Sequence, residues 1–122
     1  MGHSKLAWGL GLGLIAGLAI AGCSSDTTLP DVDCKGTVPK YSELTAFKTV
    51  CTSCHSSEVM GDARRDATVG LDFNTYEGAK ANAMKIAGEI NEGAMPPAGS
   101  GLTLEKVDQT ATLKWAMCDT PN

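Results

Sequence analysis

The chain has 122 residues, 14 acidic against 10 basic, for a formal net charge of −4. That length fits one domain rather than several. The acidic balance excludes the basic face that nucleic-acid binding requires and favours a basic protein partner instead.

Read from the start, Lys5 is the only charged residue before an apolar run from Leu6 to Ala21. The run is short and glycine-rich for a membrane span and ends in small residues. Its end, Ile20-Ala21-Gly22-Cys23, resembles the lipobox of bacterial lipoproteins: an aliphatic residue, two small ones, then Cys. That resemblance implies a signal peptide over residues 1–22 and a diacylglycerol on Cys23. An uncleaved anchor helix and ordinary cleavage are the alternatives. Ser24, a residue other than Asp after the Cys, implies a Gram-negative outer membrane rather than the inner one. Cleavage before Cys23 removes Lys5 and no acid, so the charge moves to −5 on 100 residues. A chain of that size has a small core. Residues 23–40, rich in Ser, Thr, Asp and Pro, read as a flexible tether, with the folded domain over 41–122.

The first helix is expected over Ser42–His55, with Ser42 as N-cap and Leu44, Phe47, Cys51 and Cys54 on one face. β-branched Thr49, Val50 and Thr52 weaken it. It ends in Cys51-Thr52-Ser53-Cys54-His55, the C-x-x-C-H signature of c-type haem attachment. Each thiol can add to one vinyl group, and His55, four residues after Cys51 and so on the same helix face, can ligate iron. A thioredoxin-like dithiol would follow a strand in a βαβ unit, and none is evident. A zinc site would need two further ligands from Cys34 and Cys118.

Residues 56–70 read as a polar loop around the haem, in which Arg64 or Arg65 could neutralise a propionate. Leu71 and Phe73 look like apolar anchors after it. A second helix is expected over Tyr76–Glu92, capped by Asn74 or Thr75, with Ala79, Ala83, Ile86 and Ile90 as its apolar stripe and Gly93 as its stop. Gly78 and Gly88 weaken it. Met95-Pro96-Pro97 then forms a rigid extended segment. The last helix is expected over Leu104–Cys118, capped by Thr103, with Leu104, Val107, Ala111, Trp115 and Cys118 on one face. Trp115 reads as core packing rather than an electron relay.

The chain has five cysteines. With Cys23 given to lipid and Cys51 and Cys54 to haem, Cys34 and Cys118 remain, an even remainder that reads as one disulfide in an oxidising compartment. Two buried free thiols are the alternative. The other histidine, His3, lies in the signal segment, so a His/His iron site within this chain is disfavoured. Met60, Met84, Met95, Met117 or an open position are the candidates for the sixth ligand. Met95 is favoured, because the prolines hold it with little entropy left to lose.

The C-x-x-C-H motif at 51–55, Met95-Pro96-Pro97 and a terminal helix carrying Trp115 together resemble the small monohaem c-type cytochromes of bacteria. The stretch from Gly70-Leu71-Asp72-Phe73 to Met95-Pro96-Pro97 is similar to cytochrome c domains borne on bacterial lipoproteins. The resemblance covers about Lys40 to the C-terminus; the Cys34/Cys118 pair departs from its simplest members. It implies an all-α, compact fold of three or more helices around one covalent haem c, with His55 as proximal and Met95 as distal ligand. The implied activity is electron transfer between redox proteins of the envelope by a lipid-anchored monomer, not enzyme catalysis. A haem-based redox or gas sensor, or a peroxidase-like enzyme with a displaceable Met95, is the second reading. A haem-free thiol–disulfide protein is the third.

Overall fold

Hydroxyl-bearing residues break the helix expected over Ser42–His55. In the computed structural model, which describes residues 27–122, that stretch is a 3-10 turn at Tyr41–Glu43, a short helix α1 at Thr45–Thr49, and a second 3-10 turn at Cys51–Ser53. The side chains of Thr49, Thr52 and Ser53 each donate to the carbonyl four residues back. Such bonds compete with the helical ladder and bend it, and β-branching at positions 49, 50 and 52 adds to the effect. The N-cap is Lys40, not Ser42: the Lys40 amide donates to the Glu43 carboxylate at 2.9 Å. The expected signal segment 1–22 and Cys23 lie outside the described residues.

The stretch expected as one helix over Tyr76–Glu92 is two, α2 at Tyr76–Ala81 and α3 at Ala83–Asn91. Thr75 caps α2, its hydroxyl accepting from the Gly78 amide. Neither glycine makes the break. Asn82 does, at φ −113° and ψ 12°, with its side-chain amide donating to the Gly78 carbonyl at 2.8 Å. Gly78 serves close approach instead: a Cβ there would stand 2.2 Å from the Asp72 carbonyl oxygen. The helix α3 ends as the sequence predicts, at Gly93, with φ 71°. Gly93 donates to Ile90 and Ala94 to Glu89, the paired bonds of a Schellman motif.

The last helix, α4, spans Lys106–Met117, with Glu105 rather than Thr103 as its N-cap. Its rotation also differs from the expected one. Trp115 and Thr112 are fully buried and Ala116 nearly so, while Val107 is 74% exposed. Trp115, the largest side chain in the core, sets that rotation. Val107 lies eight residues back, about 80° round the helix, and turns to solvent.

Among the described residues every regular element is helical. The core lies where α4 packs on α3 and on α1. Ala79, Ala83, Ile86 and Ile90 are all buried along the predicted stripe, joined by Ala87. Small residues at 79, 83 and 87 let these helices approach closely. Phe47 meets Trp115 edge-on at 5.2 Å, and Tyr41, Tyr76 and Phe73 extend this aromatic cluster. The chain ends are stapled over it. Cys34 and Cys118 form a disulfide, and the Pro121 carbonyl accepts from the Tyr41 amide and the Trp115 indole.

The stretch from Thr27 to Lys40 has no helix or strand. It is pinned well before Cys34: the Thr28 amide donates to Glu92 and its carbonyl accepts from Asn91, both at 2.9 Å. No helix among the described residues is long and apolar enough to cross a membrane.

Candidate functional site

The turn at Cys51–Ser53 aims the C-x-x-C-H residues. The His55 amide donates to the Cys51 carbonyl at 2.8 Å, so one helical turn spans the motif and brings residues 51 and 55 to one side. Both thiols are free, Cys54 buried and Cys51 half-buried. Burial pushes the Cys51 thiol up from 9.0 to about 12 against a smaller opposing backbone hydrogen bond. A reactive dithiol needs the reverse shift.

His55 is held on two sides. Its Nδ1 lies 3.0 Å from the Leu71 carbonyl oxygen. A carbonyl only accepts, so Nδ1 carries the proton and the Nε2 lone pair is left for a ligand. The ring stacks on Phe73 at 4.7 Å and 20°. Phe73 is fixed in turn, its amide donating to the His55 carbonyl at 2.8 Å and its carbonyl accepting from Tyr41 Oη at 2.7 Å. Burial, followed by Cys51 and Glu77, holds the Tyr41 phenol above its usual range, so it stays a donor. Leu71 and Phe73, expected as apolar anchors, thus act on the imidazole through a backbone carbonyl and a ring face.

A cavity of about 800 Å³ opens beside this imidazole. Cys51, Cys54, His55 and Met95 all line it, with Ile86 and Ile90 of α3 and Leu102 among its apolar walls. Its size falls in the range of a cofactor site. Met95 reaches it because the Schellman end of α3 turns the chain there; the Met95 amide shares the Glu89 carbonyl at 3.2 Å. The other described methionines do not line it: Met60 and Met84 are 76% and 52% exposed, and Met117 packs on the core.

The two arginines divide. Arg64 is buried, and its guanidinium donates to the carbonyls of Ser56, Val59, Ala67 and Thr68 and to Asp72 Oδ1 at 2.8 Å. It is the hub of the 56–72 loop and does not line the cavity, which leaves Arg65 as the one of the two placed beside it. Arg65 lines the cavity, as does Lys85. Arg64→Ala should destabilise the domain by roughly 2–3 kcal/mol: it strips several buried acceptors and leaves Asp72, itself partly hydrated, without its cation. Urea unfolding would measure this; a change below about 0.5 kcal/mol, the size of an ordinary surface substitution, would remove Arg64 from that role.

Among the described residues no three His, Cys, Asp or Glu side chains cluster to hold a metal ion, and the disulfide takes the two cysteines a zinc site would need. The donor set is one imidazole, one thioether and two thiols around an apolar cavity. Compared with protein-family models, with curated proteins and with solved structures, the chain matches none.

Proposed function

We propose that this protein is a lipid-anchored, monohaem c-type cytochrome that carries electrons between proteins of the bacterial cell envelope. One observation carries the reading: a single apolar cavity is lined by both thiols of C-x-x-C-H, by an imidazole with Nδ1 committed to Leu71, and by Met95 alone among the described methionines. These residues fit a haem. Cys51 and Cys54 would bind its edge, His55 Nε2 and the Met95 sulfur its iron, and Ile86, Ile90 and Leu102 would exclude water from its faces. Bound haem supplies a one-electron iron couple, whose potential an axial Met raises.

The chain's own residues favour a carrier over an enzyme. His55 is the only histidine among the described residues, so no second imidazole is present to move protons at a substrate. The acidic surface suits brief encounters with a basic partner. The elevated Cys51 pKa and the lack of a strand before the motif weigh against a dithiol enzyme. The anchor reading rests on the lipobox at Cys23.

The test is the visible spectrum of protein made with a c-haem maturation system, oxidised and reduced, with and without carbon monoxide. The expected result is a covalent, low-spin haem indifferent to the gas. Ready gas binding by the wild type would favour a sensor or peroxidase-like enzyme. Failure to take up haem would sink the proposal and return Cys51 and Cys54 to thiol chemistry.

A further inference from the structure

We infer that Arg65 is a positioning residue: it latches the loop after Met95 across the mouth of the cavity and so keeps the Met95 thioether in place. The inference rests on the reading of Met95 as an axial ligand.

Residues 96–104 contain no helix. Their own hydrogen bonds are internal, Ser100 amide to Pro97 carbonyl and Leu102 amide to Ser100 hydroxyl. Among the described residues, one hydrogen bond ties this stretch to the rest of the molecule: Arg65 Nη1 donates to the Ser100 carbonyl. The stretch carries left-handed glycines at 99 and 101, and its half-buried Leu104 packs on the core at the far end. At its base the Met95 amide is held by Glu89, which fixes the backbone but not the direction the loop takes beyond Pro97.

A second observation concerns the backbone that aims Arg65. Arg65 and Asp66 both adopt left-handed conformations, at φ 51° and 64°. Two successive non-glycine residues in that region are uncommon, and such strain concentrates at functional sites. Here it reverses the chain just after the buried Arg64, so adjacent arginines point to different tasks. Arg64 fixes the loop after His55. Arg65 reaches from that loop to the one after Met95. Both Arg65 and Ser100 line the cavity, so the latch closes over the site, linking the wall that bears the proximal ligand to the wall that bears the distal one.

The test compares wild type with Arg65→Met, which keeps the aliphatic stem and removes every donor. Amide hydrogen exchange at Ser100 and Leu102 should accelerate ~10-fold, as loss of a charge-assisted hydrogen bond allows. The haem-loaded variant should bind carbon monoxide at least ~10-fold more tightly, because its axial thioether dissociates more readily. Arg65→Lys should recover part of both effects, and the urea midpoint should stay near wild type because Arg65 is exposed. Unchanged exchange, or faster exchange with gas binding unmoved, overturns the inference. Should the chain take up no haem, the functional proposal fails separately. Exchange at Ser100 and Leu102 still decides the latch: faster in the variant supports it, equal rates overturn it.

Discussion

Met95→Ala should convert the haem-loaded protein from a low-spin form indifferent to carbon monoxide into a high-spin form that binds it. The reduction potential should fall on the order of 0.2 V, inside the ~0.8 V that axial-ligand choice spans. The reason is positional. Of the methionines described, only Met95 lines the cavity that Cys51, Cys54 and His55 share. Its amide is fixed on the end of α3 by the Glu89 carbonyl, and Pro96 and Pro97 restrict the backbone on its C-terminal side. A side chain so placed loses little entropy on ligation, which lets a weak thioether donor compete with water. Met60→Ala and Met84→Ala, at exposed positions away from the cavity, should leave spectrum and potential unchanged. Met117→Ala should cost stability by loss of packing against the core, without opening the iron. Identical spectra for wild type and Met95→Ala would mean that another group holds the sixth position. The assignment of Met95 would then be withdrawn while that of His55 stood.

The candidate site was legible because its chemistry resides in side-chain type and spacing. Cys51, Cys54 and His55 announce themselves by register, and Met95 by the prolines after it. Cys34 and Cys118 followed from parity once three other cysteines had been given tasks, and they are disulfide-bonded. The work of backbone atoms could not be read. The carbonyl of Leu71 orients His55, and no residue type signals a carbonyl. Arg64 and Arg65 look equivalent in sequence; the left-handed turn at 65–66 separates an interior hub from a rim latch, and nothing in the residue letters signals it.

Helix boundaries failed where local hydrogen bonding overrode periodicity. Back-bonding hydroxyls shortened the helix before Cys51, and the Asn82 side chain divided the one expected over Tyr76–Glu92. Gly78 looked like a weakness in a helix, yet the Asp72 carbonyl lies where its Cβ would be. Asp72 sits between the two residues that hold His55, so this close approach connects α2 to the imidazole. Val107 matched the apolar register of α4 and is nonetheless exposed, because the burial of one indole decides how that helix turns.

Replacing Cys34 and Cys118 together by Ser should lower stability by roughly 4–5 kcal/mol in the chain-entropy model, for a sequence separation of 84 residues. A domain of this size has about 5–15 kcal/mol in total, and each lost kcal/mol lowers the melting temperature by about 4–8 °C. A fall on the order of 20–30 °C is therefore expected. The folded state should change little, since other bonds join the same ends: Lys114 Nζ to the Lys35 carbonyl at 2.7 Å and Tyr41 to Pro121 at 2.8 Å. The effect acts mainly through the unfolded chain, so the spectrum of the loaded variant at low temperature should match the wild type. Calorimetry of oxidised, reduced and doubly substituted protein would measure it. A loss below about 1 kcal/mol would show that the unfolded chain already keeps its ends together, and the entropic account would fail.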